Sequence, residues 1–329
     1  MRTLVVSLIA SGLACAQAPS IGLVELYGVR KVSADRIRSA IGVRVGDPLS
    51  VPKADIQERL EKVPGVVAAR VSAVCCAGDA AVLYVGIEER DAHHVEFRTP
   101  PAANLNLSEA LLATYHDFVA YFGDPARAGD PTGPAAEAYR KNFEHLARDH
   151  ADNLHRVLRE SDDAEQRAVA ADILRYAPVT RAVVDDLQYA MLDSDQTVRA
   201  NAMRSLRELA PRAAADPDLD IRVELTWFVE LLNSLDWDDR SESATALVSL
   251  TQTRDPGALE HIRDRALPAL IDMARWRTPA HAHAAFILVG RIAGLTEKDI
   301  QDAWSRNDRE AVIRRADPLV RKPTPRPAS

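Results

Sequence analysis

The fold is decided by one stretch of sequence, Asp195-Gln-Thr-Val-Arg-Ala-Asn-Ala-Met-Arg-Ser-Leu-Arg-Glu-Leu-Ala-Pro211. An Asp opens it, apolar residues recur at helical spacing and a Pro closes it, which predicts a helix. A near-copy stands upstream, Asp163-Ala-Glu-Gln-Arg-Ala-Val-Ala-Ala-Asp-Ile-Leu-Arg-Tyr-Ala-Pro178, and places Arg167 32 residues before Arg199. Two copies of one helix in one sequence indicate a stacked helical repeat.

Two further copies follow downstream. Aligned on its first Asp, the third reads Asp239-Arg-Ser-Glu-Ser-Ala-Thr-Ala-Leu-Val-Ser-Leu250 and carries Ser243 where the first two carry Arg. A fourth, looser copy begins at Ala282, and Ala285 takes its small position. A small residue there lets the paired helix approach closely, and a Leu one turn later fills the groove between neighbours. Because one helix pair cannot bury its apolar face alone, the pairs are predicted to stack.

A second helix is predicted after each first helix, over residues 180–192, 220–235, 256–275 and 298–315. Two earlier helices are predicted at 107–122 and 135–160, on either side of a loop rich in Gly and Pro. The Asp-x-x-Val-Arg-x-x-Ala pattern of residues 195–202 resembles HEAT repeats of the short bacterial kind. The resemblance implies an all-α solenoid of antiparallel helix pairs over residues 107–316, clearest over 162–316, that presents a binding surface.

A smaller domain is predicted over residues 20–91. Residues 21–27 alternate and contain β-forming residues, which indicates a strand. Short helices are predicted after Ser33 and over residues 53–62, and strands over 66–74 and 81–87, joined by a turn at 75–79. The predicted order is strand, helix, helix, strand, strand, which is a small α+β fold.

This order of elements, and the Gly and Pro residues between them, resemble the polypeptide-transport-associated (POTRA) domain. The resemblance is carried by Gly28-Val-Arg30 after the first strand, Gly46 between the helices, Pro64-Gly65 before the second strand and Val85-Gly-Ile-Glu-Glu89 at the end. The chain departs from the family in having Leu49 where an aromatic often follows the loop Gly, and in having a single copy. The resemblance implies a periplasmic protein-binding module whose sheet edge accepts a strand from a partner.

The sheet edge is the predicted site of partner binding. An edge strand has unpaired backbone groups that an extended peptide can satisfy, a mode called β-augmentation. The predicted edge residues are Leu23, Glu25 and Tyr27 in the first strand and Arg70 and Ser72 in the second. The alternative is a small domain that only caps or orients the helices behind it.

Residues 1–18 have the pattern of a secretory signal. Arg2 precedes a short apolar run, and small residues follow it up to Ala18. The run is too short to span a bilayer, which takes about 20 residues, so cleavage and export to the periplasm or beyond are predicted. A lipoprotein signal would acylate Cys15, but Gly12 occupies the position where such signals usually carry Leu. A Pro-rich linker is predicted at 92–106 and a disordered tail at 317–329.

Charge and motifs argue against several functions. The net charge is -7 and basic residues cluster only in the short tail, so no nucleic-acid partner is expected. No His-Glu-x-x-His, nucleophile elbow, phosphate loop or dinucleotide fingerprint occurs, so no catalytic, cofactor or metal site is predicted. Asp236-Trp-Asp-Asp239 lacks the EF-hand Gly and Glu, which favours helix capping over calcium binding. Cys75 and Cys76 are either a disulfide or redox pair or two small residues in a turn.

These observations predict an exported, non-enzymatic protein-interaction scaffold of the cell envelope. It would bind envelope proteins at the POTRA-like sheet edge and on the HEAT-like surface, without a cofactor and without an integral membrane span. Peripheral association with a membrane stays open. The competing prediction is an envelope enzyme of hydrolase or lyase type, with its site in the groove of the repeats. Three or more titratable side chains converging in that groove would favour the enzyme.

Overall fold

The computed structural model of the protein describes residues 19–77, 80–123 and 133–320. The predicted signal, residues 78 and 79 of the predicted turn, most of the predicted loop rich in Gly and Pro, and residues 321–329 of the predicted tail lie outside this part of the chain. The described residues form a small mixed sheet at the N-terminal end and a mostly helical remainder. None of the helices in these ranges combines the length and apolarity needed to cross a membrane.

The N-terminal elements follow the predicted order. They are β1 (Ile21–Tyr27), α1 (Ala34–Ile41), α2 (Lys53–Glu61), β2 (Val66–Ala77) and β3 (Ala80–Glu89). Gly42 ends α1 with a φ of 71°, a left-handed conformation that Gly adopts without steric cost. The strand order in the sheet is β1-β3-β2, with β3 parallel to β1 and antiparallel to β2. The last strand in the sequence is therefore central, and β1 and β2 are the two edges.

The central strand β3 is buried on both faces. Leu83, Val85 and Ile87 pack with α1 and α2 in one core. Val82 and Tyr84 point to the opposite face and join the core formed by later helices. A strand covered on both faces has a continuous apolar sequence, which explains the unbroken run in β3. The sheet is thus a middle layer between the α1–α2 pair and the rest of the chain.

Residues 109–320 are called the helical region. Its helices are α3 (Glu109–Gly123), α4 (Pro134–Asp149), α5 (Ala151–Glu160), α6 (Ala164–Ile173), α7 (Arg181–Ala190), α8 (Gln196–Ala214), α9 (Thr226–Leu231), α10 (Trp237–Leu250), α11 (Pro256–Ala274), α12 (Pro279–Ile292), α13 (Glu297–Ser305) and α14 (Arg309–Ala316). Helix α8 contacts α6 on one side and α10 on the other, and α10 in turn contacts α12. Asp163 and Asp195 accept hydrogen bonds from free N–H groups in the first turns of α6 and α8, as predicted.

Three predicted helices have different bounds in the structure. The helix predicted over 135–160 is divided at His150, whose backbone (φ −114°, ψ 19°) leaves helical geometry. The helix predicted over 298–315 is divided into α13 and α14 near Asn307, which has a φ of 55°. The helix predicted over 220–235 is shortened to α9, and Asp220 at its predicted start has a φ of 46°, outside helical geometry.

Two predicted stops also differ. Helix α8 continues past Pro211, and Ala213 in its last turn is buried, so packing outweighs the missing N–H of the Pro. The predicted disordered tail begins with a short 3-10 helix at Asp317–Leu319, and Val320 packs on the core. Packing against the end of the helical region therefore orders the first residues of the predicted tail.

The third repeat lies in a different register from the predicted one. Its helix α10 begins after Asp236. The residue that matches Arg167 and Arg199 is therefore Arg240, whereas the sequence alignment had placed Ser243 there. Ser243 instead occupies the small-residue position and is fully buried, as Ala202 is in α8. The prediction was wrong because two Asp residues fit the opening position equally well. The structure separates them, since each repeated arginine donates to the carbonyl oxygen six residues before it: Arg167 to Ser161, Arg199 to Asp193 and Arg240 to Ser234.

The segment predicted as a linker is extended and lies against the helical region. The Arg98 N–H donates to the Leu192 carbonyl at 2.8 Å, and the Ala103 N–H donates to the Glu160 carbonyl at 3.0 Å. The Arg98 guanidinium also stacks on the Tyr189 ring, 3.4 Å from its centroid. Backbone bonds at Arg98 and Ala103 therefore hold this segment against the helical region.

Glu89 closes the loop between β1 and α1. Its carboxylate accepts hydrogen bonds from the backbone N–H groups of Arg30 (2.7 Å), Lys31 (2.9 Å) and Val32 (3.0 Å). Burial opposes the ionisation of this carboxyl, but the three donors outweigh burial and hold the pKa of Glu89 below its usual value of 4.5.

Replacing Glu89 by Gln should lower the free energy of unfolding at neutral pH by about 1–3 kcal/mol, because an ionised acceptor of three N–H groups is lost. Since the folded-state pKa is lowered, the contribution of Glu89 is complete above pH 4.5 and is lost as the pH falls through that folded-state pKa. Urea unfolding of the two proteins should therefore give converging stabilities in acid. Glu58→Gln, in an exposed pair with Lys62, is the control and should change little. An equal loss at every pH would contradict this role.

Candidate functional site at the outer edge of strand β2

Strand β2 is an edge strand whose two faces differ. Ala69 and Val71 point to the α1–α2 core. Val74 packs on the core of the helical region, and the Arg70 side chain on the same face approaches Asp236 at 3.6 Å. The alternation of apolar and polar residues along β2 therefore separates a core face from a face that looks toward the helical region.

The opposite edge of the sheet, strand β1, is covered at two positions. The Ile21 N–H donates to the Asp47 carbonyl and the Ile21 carbonyl accepts from the Gly46 N–H, both at 2.8 Å. The Val24 carbonyl accepts from the Arg277 guanidinium at 2.7 Å. Backbone groups of β1 at Ile21 and Val24 are thus satisfied within the chain.

The three predicted edge residues of β1 contact the helical region. Glu25 accepts hydrogen bonds from the backbone N–H (2.8 Å) and the Nε (2.9 Å) of Arg277. Tyr27 is only 1% exposed, and its hydroxyl donates to the Leu235 carbonyl. Leu23 packs half-buried on the same core. These residues hold the sheet on the helical region, so the remaining edge of the sheet is β2.

A groove with a volume of about 600 Å³ runs between β2 and the helical region. Both predicted edge residues of β2, Arg70 and Ser72, line it. The wall opposite β2 comes from the starts of α8 and α10. The lining residues are Lys53 and Gln57 of α2, residues 70–75 of β2, and Gln196, Asp236, Trp237 and Asp238 of the helical region.

Two outward N–H groups of β2 are bonded to side chains of α2. The Ala69 N–H donates to Glu61 Oε1 at 3.2 Å, and the Val71 N–H donates to Gln57 Oε1 at 3.0 Å. Because alternate residues of an edge strand direct their N–H groups to the same side, the next outward N–H belongs to Ala73. The part of the edge that no described α2 side chain covers therefore begins at Ala73.

Asp236 is held by arginines on both walls of the groove. The sequence predicted a helix cap, and Asp236 does occupy the N-cap position of α10, but its side chain makes no capping hydrogen bond. Its carboxylate instead accepts from Arg199 Nη2 at 2.7 Å and lies 3.6 Å from Arg70 Nε. The charge of Asp236 is therefore neutralised within the chain.

Asp238 stands beside it without a cation. Its carboxylate accepts a hydrogen bond from the Gln196 amide and forms no ion pair with any residue that the structure describes. Burial raises the pKa of Asp238, an effect that Arg204 opposes and that repulsion from Glu242 and Asp236 increases. Asp238 is thus a half-buried carboxylate in surroundings that disfavour its charge.

Cys75 lies exposed at one end of the groove. It is disulfide-bonded, and the side chain of Cys76 lies outside the described residues. Cys75 lies in strand β2, so the predicted alternative of two small residues in a turn does not describe it. Over the described ranges, no group of three or more His, Cys, Asp or Glu residues could hold a metal ion.

Two groups of titratable side chains converge elsewhere in the molecule. In each, one carboxylate contacts a histidine with one oxygen and an arginine with the other. The groups are Glu230 with His93 and Arg265, and Asp186 with His155 and Arg159. No described Ser, Thr or Cys side chain hydrogen-bonds to either histidine. Both groups have the geometry of ion pairs between segments, and neither places a nucleophile beside a base.

Sequence reasoning found one wall of the groove and missed the other. Arg70 and Ser72 were visible as polar positions of a strand. Asp238 was expected among helix caps, yet it lines the groove beside Trp237, whose ring also packs on Tyr84. Their sequence signal, an acid-rich helix start, is the same for a cap and for a groove wall.

Comparisons of the chain with protein-family models and with curated proteins find no match. The POTRA-like and HEAT-like assignments accordingly rest on the residues that carry those resemblances. Because a fold alone does not determine a function, the geometry of the groove must carry the functional argument.

Proposed function

We propose that the protein is an exported, non-enzymatic protein-interaction scaffold of the cell envelope. It binds an extended segment of an envelope protein by β-augmentation at the outer edge of β2. In this proposal residues 20–91 are a POTRA-like module, and the helical region is a HEAT-like solenoid of antiparallel helix pairs that supports it. The proposed location is the periplasm or the cell exterior, after cleavage of the predicted signal.

One observation carries the proposal, the difference between the two edges of the sheet. The loop before α2 and Arg277 satisfy backbone groups at Ile21 and Val24 of β1, whereas no described α2 side chain covers β2 from Ala73 onward, where a groove follows the edge. Strand addition requires an edge with backbone groups free to pair and space beside it. The polar opposite wall of the groove also suits the alternating side chains of an extended peptide.

The proposal predicts that outward N–H groups of β2 set the affinity for the partner. Ala73→Pro removes one such N–H without touching the ladder to β3, on the side of an edge strand where Pro is tolerated. It should weaken binding by about five- to tenfold, the value of one hydrogen bond. Gln57→Ala should strengthen binding, because it frees the Val71 N–H. Glu58→Ala, at the neighbouring exposed position of α2 outside the groove lining, is the matched control.

The measurement is capture from an envelope extract with the full chain and each variant, with quantification of every recovered protein. Circular dichroism establishes that each variant is folded. A partner depleted by Ala73→Pro, enriched by Gln57→Ala and unchanged by Glu58→Ala fits the proposal. Recovery of the same proteins in the same amounts with all variants would show that β2 is not the binding edge. Recovery of no partner would count against a scaffold.

A further inference from the structure

We infer that the segment bound at β2 carries a lysine or arginine whose side chain pairs with Asp238. This inference rests on the proposed function, because it names the chemistry of the strand that β2 accepts. The observation behind it is the position of a sheet edge beside a half-buried carboxylate that no described cation pairs with.

The geometry of a sheet determines where the side chains of an added strand point. A strand beside β2 lies about 4.8 Å away, and its alternate side chains project to the two faces that β2 defines. Arg70 and Val74 mark the face toward the helical region. Side chains of the added strand on that face point toward the groove wall formed by Gln196, Trp237 and Asp238.

The charges of the wall select a cation. Asp236 is already paired with Arg199, and Arg204 is paired with Glu242 at 2.8 Å. Asp238 receives only the neutral amide of Gln196 in the described part of the chain. A lysine or arginine from the added strand supplies the missing positive charge in a partly desolvated site, where such a hydrogen-bonded pair is strong.

The two faces of the groove favour different side chains on the bound segment. On the face of the helical region, the Trp237 ring lines the wall next to Asp238, and an aromatic ring attracts the same cations. On the other face stand Lys53 and Gln57, which suit an acidic or polar side chain. The partner segment therefore has basic residues on one face and acidic or polar residues on the other.

The test uses short host peptides of alternating Thr and Val, about nine residues long, in which a single Lys is moved through every position. Binding to the full chain is measured by fluorescence anisotropy. The best Lys peptides should bind about five- to tenfold more tightly than the host. Favourable positions should be two residues apart, because only alternate side chains face Asp238. Glu at those positions should weaken binding.

Asp238→Asn keeps the size of the side chain and removes its charge, so it should abolish the difference between the Lys peptides and the host. Asp218→Asn removes an equal charge at an exposed position outside the groove, and the Lys preference should survive it. A preference that persists in Asp238→Asn, or peptide binding with no charge preference, overturns this inference and leaves strand addition intact. Failure of every peptide to bind, the host included, counts against the proposed function itself. Self-association of the chain in sedimentation, abolished by Ala73→Pro, would assign the edge to a second copy and overturn the inference.

Discussion

Replacing Arg199 by Met should lower the free energy of unfolding by about 3–5 kcal/mol, because it leaves a buried carboxylate without its cation. The Arg199 side chain is 1% exposed, and its Nε and Nη2 each donate to the Asp239 carboxylate at 2.9 Å. Nη2 also donates to Asp236 at 2.7 Å, and Nη1 donates to the Asp193 carbonyl. Asp239 is fully buried, so water cannot replace the lost donors. Urea unfolding followed by circular dichroism measures the loss.

The loss should also depend on pH. Burial raises the pKa of Asp239 from its usual 3.8 to about 6, and Arg199 opposes that rise. Removing Arg199 should therefore raise this pKa further. A carboxyl whose folded-state pKa exceeds its unfolded value stabilises the fold in acid, and this stability is lost as the pH rises from 3.8 through the folded-state pKa. The gap between wild type and variant should be wider in mild alkali than in mild acid.

Two further variants distinguish the stability contribution of a buried ion pair from that of an exposed one. Arg204→Met removes a pair with Glu242 whose side chains are 37% and 21% exposed, and it should cost only about 0–1 kcal/mol. Arg199→Met combined with Asp239→Leu should recover most of the loss, because apolar side chains then replace both charges. A loss for Arg199→Met no larger than that for Arg204→Met would show that the buried network does not hold α8 to α10.

The order of strands and helices in the N-terminal part was predictable because interactions between residues close in sequence determine it. The alternation of the strands and the left-handed Gly42 act within a few residues, and the β-α-α-β-β order followed from them. The same locality explains the failure in the third repeat. Asp236 and Asp239 are equally good openings for a helix, and the hydrogen bond of Arg240 to the Ser234 carbonyl, six residues upstream, distinguishes the two registers.

Contacts between distant segments were not predictable from one sequence. Glu25 had the pattern of an exposed edge residue, since a carboxylate in an alternating strand usually faces water. It is instead buried against Arg277, which is 252 residues away. The candidate site shows the same division. Arg70 and Ser72 followed from strand alternation, whereas Asp238 joins them only because of the way the helical region packs on the sheet.

The close packing of the sheet on the helical region predicts a large loss of stability when Gly86 gains a side chain. Replacing Gly86 by Ala should cost about 3 kcal/mol, the upper end of overpacking. A Cβ at this position would lie 2.6 Å from Tyr27 Cε2 and 2.7 Å from the Leu235 carbonyl oxygen, both far inside van der Waals contact. Strand β3 can approach the helical region this closely because it has no side chain at this point.

The Tyr27 ring has no space to move aside. It meets the Trp276 ring edge-on with centroids 5.9 Å apart, and the Arg240 guanidinium lies 4.5 Å from its centroid. Its hydroxyl is bonded to the same Leu235 carbonyl that a Cβ would approach. A methyl group at position 86 would therefore have to push the sheet and the helical region apart, which strains these contacts together.

The matched control is Gly257→Ala, in the first turn of α11. A Cβ there meets only the Asp255 carboxylate at 3.3 Å, so higher helix propensity should leave stability unchanged or raise it by about 0.5–1 kcal/mol. Tyr27→Ala should cost less in the Gly86→Ala background than in wild type, because the ring is one of the two obstacles. Rescue should be incomplete, since the Leu235 carbonyl is backbone and stays in place. Additive losses would mean that the ring does not exclude a side chain at position 86, and that something other than this contact sets the distance between the sheet and the helical region.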